Sequence, residues 1–176
     1  MQKPSSDDIS IRTELRPGDI GYIIYLHGKI YSLEFNYGIS FETYVAAGLQ
    51  EFYQEYNTEK DMVWIAEHMN RIIGCLFLVH RKNSTAQLRY FLIEPFYRGI
   101  GLGTQLMDLY MEFLEQKEYT HSYLWTTNEQ RMAADLYKRK GFVLTEEKSS
   151  TVFGKPVTEQ RYDWKKGNDV SKFISS

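Results

Sequence analysis

Residues Arg98-Gly99-Ile100-Gly101-Leu102-Gly103 set three glycines at alternate positions directly behind an arginine. Glycine reaches backbone angles that other residues avoid, and it lets another group approach the main chain closely. Where such a turn opens a helix, the first amides of that helix are unpaired and attract an anion. Arg98 would add a full positive charge and a fork of donors suited to phosphate. The spacing fits neither the G-x-G-x-x-G dinucleotide turn nor the G-x-x-x-x-G-K-[ST] phosphate loop.

Other chemistry-bearing residues are scattered around this turn. Glu94 lies just before it, and Glu34 and Glu42 lie in an early helical region; each could accept a proton, while the plainer reading of each, and the one favoured individually, is a solvated surface carboxylate. Arg89 interrupts the apolar run "LRYFLI". An unpaired charge is costly to bury, so Arg89 should meet either a protein carboxylate or an anion on a ligand. Cys75 has wholly apolar flanks and no adjacent histidine, which argues against a nucleophilic thiolate. His27, His68, His80 and His121 show no metal-ligand spacing with one another or with Cys75, so no metal is implied.

The elements that must position these residues can be read from periodicity. "SIRTEL" reads as a strand, and Asp19 is a candidate cap for one or two helical pieces in "IGYIIYLHGKIYSLE". Phe41, Val45, Leu49, Phe52 and Tyr56 fall at helical spacing behind Ser40, a second candidate cap. "MVWIAEH", "IIGCLFLVHR" and "AQLRYFLIEP" read as three consecutive strands. The glycines then open a helix with Leu102, Leu106 and Leu109 or Tyr110 on its apolar face. "HSYLWTT" follows as a strand, "NEQRMAADLYKRK" as a helix that Asn128 would cap and Gly141 would end, and residues 142–164 as a closing hairpin. The order βααβββαβαββ predicts a mixed sheet with parallel pairing in its second half.

With that succession in view, Arg98 to Gly103, placed after a strand ending Ile93-Glu94-Pro95, resembles the acyl-CoA pyrophosphate loop of the GNAT superfamily of N-acetyltransferases, whose signature is [RQ]-x-x-G-x-[GA]. "AADLYKRKGF", Ala133 to Phe142, is similar to the superfamily's A-x-x-L-Y-x-x-x-G-F pattern. More narrowly, residues 11–164 look like the acetyltransferase domains fused behind MarR-type regulators. The resemblance implies an α/β, GNAT-like fold, a strongly twisted mixed sheet flanked by helices. It implies acetyl-CoA as cosubstrate, its pyrophosphate on Arg98, Gly99, Ile100, Gly101, Gly103 and Thr104. The pantetheine arm would pair with the main chain of Leu92 and Ile93. Tyr137 falls where the family's phenol donates a proton to the leaving thiolate; the competing reading is a core aromatic sharing a face with Ala133 and Leu136. Glu94 is the expected base, and Glu34 and Arg89 the expected acceptor contacts. Gln130 stands where some members carry a cofactor-contacting asparagine, which leaves Asn128, Thr126 and Thr127 as polar contacts only.

Composition narrows the partners. The 176 residues carry 21 basic and 23 acidic side chains, a net charge of −2, so nothing favours a nucleic-acid backbone. No apolar window approaches the roughly 18 residues of a membrane span, and the start lacks a signal-peptide core. The expectation is one cytoplasmic domain over 1–176, with polar ends at 1–10 and 165–176. The 14 tyrosines and 10 phenylalanines leave scope for a homodimer. The expected reaction moves an acetyl group from acetyl-CoA to a primary amine of a small molecule or amino acid. A protein lysine or N-terminal acceptor, or an acyl-CoA sensor without turnover, are the rivals.

Overall fold

The computed structural model describes residues 3–167, so the last nine positions of the C-terminal polar end lie outside the described residues. The chain runs β1 (Ser10–Arg12), α1 (Asp19–Phe35), α2 (Ile39–Gln54), β2 (Met62–His68), β3 (Arg71–Arg81), β4 (Thr85–Ile93), α3 (Leu102–Gln116), β5 (His121–Thr127), α4 (Arg131–Arg139), β6 (Val143–Ser150) and β7 (Val157–Lys165), the expected succession. Seven strands form one mixed sheet in the order β1-β2-β3-β4-β5-β7-β6. Its one parallel pair is β4 with β5.

Two apolar layers cover the sheet. α3 and α4 bury Leu102, Leu106, Tyr110, Leu136 and Tyr137 on one face against Trp64, Leu76 and Leu124. α1 and α2 bury Ile23, Leu26, Val45, Leu49 and Phe52 on the other, against Val63, Cys75 and Phe77. Strands β2 and β3 are therefore apolar on both sides, which is why their sequences run apolar rather than alternate.

The helix starts differ from the sequence reading, each by a residue or more. α1 is capped by Gly18 at φ 97°, and Asp19 sits one position inside, accepting from Arg16 N at 2.6 Å and from the Arg12 guanidinium at 2.8 and 2.9 Å. α2 is capped by Gly38 rather than Ser40. α4 begins at Arg131 behind Gln130, because Asn128 is held by Thr158 of β7 instead, its amide donating to the Thr158 carbonyl and its side-chain Oδ1 accepting from the Thr158 amide. β1 is shorter than "SIRTEL", since Arg12 turns to the carboxylates of Asp19 and Glu67 and the pairing with β2 stops there.

Two irregularities prepare the site. The β4–β5 ladder holds only Thr85–Gln87 against His121–Tyr123; beyond it the strands part, leaving their facing edges unpaired with each other. Within β4, Cys75 opposes Leu92 while Phe77 opposes Arg89, so Tyr90 and Phe91 together face Leu76, a β-bulge with Tyr90 at φ 54°. The extra residue inverts the alternation. Ala86 and Leu88 point toward α3 and α4, whereas Tyr90 and Leu92 point toward α1 and α2.

Candidate active site

The glycine turn lies at the mouth of this parting. Gly99 and Gly101 adopt φ of 80° and 91°, a region that costs an L side chain about 1–2 kcal/mol. Gly101 is the N-cap of α3 without any side-chain cap, so the first amides of a 15-residue helix stay open to a ligand. A Cβ on Gly101 would meet nothing within 4 Å, so the backbone angle, not crowding, selects glycine there.

A cleft of about 480 Å³ spreads in front of these amides. Its walls include Leu92, Ile93, Arg98, Gly99, Gly101, Gly103 and Thr104, the residues expected there with one exception. Ile100 packs toward the core beneath α3 and lines no part of the cleft. Arg98 donates from Nε to the Ile93 carbonyl at 2.9 Å and from Nη1 to both Glu34 oxygens at 2.8 and 3.0 Å. The Ile93 carbonyl thus already accepts one hydrogen bond, which ties the arginine to the end of β4. Lys3 Nζ donates to the Arg98 carbonyl at 2.7 Å, which brings a second cation to the turn from a segment that reads as a polar end.

Glu34 was expected at the acceptor pocket and lies at the cofactor cleft instead. On α1, His27, Tyr31, Glu34 and Phe35 recur at helical spacing and share one face. The last turn of that face reaches the cleft, while His27 faces a different cavity.

That second cavity, about 110 Å³, opens on the α1–α2 side and is lined by His27, Tyr44, Arg89, Tyr90, Thr126 and Tyr137, among others. It shares Tyr31, Phe91 and Gln130 with the cleft, so the two spaces meet where β4 and β5 part. Tyr31 is fixed at the junction by its hydroxyl donating to Gln130 Oε1 at 3.2 Å and by stacking on Phe41 at 4.6 Å. Phe153 of the β6–β7 loop closes the far wall against Tyr37, Phe41 and Tyr44.

Tyr137 is buried in this wall, 6.2 Å between ring centroids from Phe91. Its hydroxyl has no hydrogen-bond partner among the described residues. Desolvation pushes its pKa well above the ordinary tyrosine value, so it stays protonated and can only donate. Glu94, by contrast, is drawn to Arg71 at 2.9 Å and lines neither space; the structure gives it no route to a reacting amine. Cys75 is buried, donates to the Tyr90 carbonyl at 3.0 Å, and has its pKa raised by desolvation, which leaves it an inert thiol.

His27 was read from sequence only as a metal ligand to be dismissed. It is buried, and its Nδ1–H donates to the Ile23 carbonyl at 2.8 Å, which leaves the lone pair on Nε2. Burial lowers its pKa to about 4, so it is neutral near pH 7. It is the one imidazole among the residues lining this cavity, and with Nδ1 donating, its Nε2 can only accept. The signal available in sequence was its place four residues before Tyr31 on a helix.

A mixed sheet with a parted parallel pair, and a glycine turn delivering helix amides to that gap, defines a protein built to hold an extended, phosphate-bearing ligand across the sheet. The chain belongs to the Acetyltransferase (GNAT) family, whose model matches residues 29–142. A Xenopus tropicalis protein named Probable N-acetyltransferase 14 is 25% identical over 99 residues, covering 55% of this chain and 48% of that one, so the chain spans about half the length of the curated relative it matches. Among solved structures, a GNAT-family acetyltransferase from Staphylococcus aureus superposes with a TM-score of 0.73 at 20% identity, covering 89% of this chain and 98% of that one. A GNAT-family acetyltransferase from Elizabethkingia anophelis, solved with acetyl-CoA bound, gives a TM-score of 0.64 at 17% identity over 91% and 99% of the two chains.

Proposed function

We propose that this protein transfers an acetyl group from acetyl-CoA to the primary amine of a small molecule, by direct attack in a ternary complex. The observation that carries the reading is the meeting of two spaces at Tyr31, Phe91 and Gln130, one on each side of the opening between β4 and β5. The cleft residues fit the cosubstrate. Arg98, the amides of Gly101 to Thr104 and the free edge of β4 at Leu92 would hold it, and the thioester it brings supplies the activated acetyl group.

The protein's own residues supply the rest. An amine can attack only when neutral, so a proton must leave it. His27 lines the acceptor cavity with its tautomer fixed by Ile23, and we assign the proton-accepting role to its Nε2. Tyr137, kept protonated by its surroundings, holds the proton a departing thiolate requires. The limited acceptor cavity and its aromatic walls support a small acceptor over a protein segment.

The test is thiol release from acetyl-CoA with an amine library, read alongside mass detection of acetylated products. Tyr137→Phe should lower kcat by about 100-fold and leave the affinity for coenzyme A unchanged. Coenzyme A binding with no turnover on any amine would point instead to an acyl-CoA sensor.

A further inference from the structure

The acceptor cavity holds one guanidinium and one carboxylate, and they are not treated alike. Glu159 is engaged by Lys148 at 3.6 Å. Arg89 has no carboxylate within ion-pair distance and no hydrogen-bond partner among the described residues. Of the carboxylates lining the adjoining space, Asp61 is already committed to His80 and to the amide of Asn57, and Glu51 and Glu55 of α2 are exposed and outside ion-pair distance of Arg89. A half-buried guanidinium without an anion is costly unless something in solution completes it.

Two buried hydroxyls in the same wall are orphaned too. Tyr90 Oη and Thr126 Oγ1, on residues only 8% and 7% exposed, have no hydrogen-bond partner among the described residues. Native interiors seldom leave such atoms unpaired, so their convergence on one cavity points to a polar occupant.

The bulge explains the convergence. In a regular strand Arg89 and Tyr90 would point to opposite faces. The added residue puts both on the α1–α2 side, where the guanidinium lies 4.8 Å above the Tyr90 ring and 5.8 Å from that of Tyr44. Helix α2 makes room with Gly48, whose Cβ would come within 2.6 Å of both Arg89 Nη2 and Tyr90 Oη. Meanwhile Glu34, the carboxylate that would have suited a purely cationic acceptor, is spent on Arg98.

We propose that the acceptor amine carries a carboxylate, an amino acid or a compact relative of one, and that Arg89 binds this carboxylate with the Tyr90 and Thr126 hydroxyls as further donors. This rests on the acetyl-transfer reading and names the class of its acceptor. A planar fork against a carboxylate is the strong form of the charge-assisted hydrogen bond, and the flanking rings hold the guanidinium in plane.

The experiment compares the common L-amino acids with their carboxamides and with the amines left when the carboxylate is removed, scored by kcat/KM at fixed acetyl-CoA. Free acids should be preferred by about 10-fold or more. Arg89→Gln should abolish that preference by raising KM for the acids alone, and Arg89→Lys should restore part of it. Thr126→Val should weaken acid acceptors severalfold, with coenzyme A binding by calorimetry as the control for folding. Equal use of acids, amides and plain amines, or a preference that survives Arg89→Gln, overturns the carboxylate site and leaves acetyl transfer standing. If no amine turns over, titration of N-acetylglycine into the protein with coenzyme A decides: Arg89-dependent binding upholds the site, and absence of binding overturns it.

Discussion

Arg98 and Glu34 should have opposite effects on the cosubstrate, and the reason lies in their pairing. Arg98 would give a diphosphate a charge-assisted hydrogen bond, worth about 1.5–3 kcal/mol. In the structure that charge is held by Glu34, and both side chains are partly exposed, at 31% and 26%. A pair in that setting contributes about 1 kcal/mol at most. Binding must exchange one partner for the other, so Arg98→Ala should cost the difference, about 0.5–2 kcal/mol, or roughly 2- to 30-fold in the dissociation constant for coenzyme A. Glu34→Gln removes the competitor and keeps the shape, so it should tighten binding by about 2- to 5-fold, less so as salt rises and screens the lost repulsion. Isothermal calorimetry with coenzyme A at two ionic strengths measures both. Should Glu34→Gln weaken binding as much as Arg98→Ala does, Glu34 would be a support for the phosphate site rather than its rival, and the exchange argument would fail.

The remaining expectations are more local. Gly101→Ala meets open space but a φ of 91°, so it should destabilise by about 1 kcal/mol and lower Tm by about 2–4 °C in a thermal melt, with weaker coenzyme A binding; a gain in Tm would contradict the strained turn. Gly48→Ala should push Arg89 and Tyr90 aside and raise the acceptor KM by about 10-fold while coenzyme A affinity holds; an unchanged KM would show that the guanidinium has slack. His27 titrates near 6.5 when unfolded and about 4 when folded, so between those values the unfolded chain binds more protons. Its contribution is complete above pH 6.5 and is lost as pH falls toward 4, a change of roughly 3 kcal/mol. Urea denaturation at pH 7.5 and 4.5 should therefore show a smaller pH effect in His27→Gln than in the original chain.

The element order and the glycine turn were legible because both rest on local rules. Period-2 and period-3.6 patterns separated strands from helices, and alternating glycines behind an arginine marked a backbone approached by an anion. Caps were misread at Asp19 and Asn128 for a common reason: a side chain that can cap can also serve a partner elsewhere in the chain; Ser40 instead falls inside α2, which starts behind Gly38. Arg12 claimed Asp19, and Thr158 of β7 claimed Asn128. Glu94 shows the same limit in the site. Adjacent to the turn in sequence, it leans away to Arg71, 23 residues earlier, because the antiparallel β3–β4 pairing brings that cation alongside.

The bulge in β4 is the deeper case. "LRYFLI" holds no glycine, proline or asparagine to announce an inserted residue, and it alternates acceptably in either register. What holds Tyr90 at a positive φ is tertiary: its ring lies edge-on to Phe77 at 5.3 Å and to His27 at 6.2 Å, and its carbonyl accepts from the Cys75 thiol. Those contacts offset a backbone angle that costs about 1–2 kcal/mol on its own. The added residue turns Phe91 toward the α3–α4 side at the gap while putting Arg89 beside Tyr90 on the acceptor side. Cosubstrate cleft and acceptor site therefore share one irregularity. A change that regularised β4 would reverse Tyr90 and all that follows it relative to Arg89, and so disturb both sites together, whereas single substitutions at Arg98 or Arg89 act on one side only.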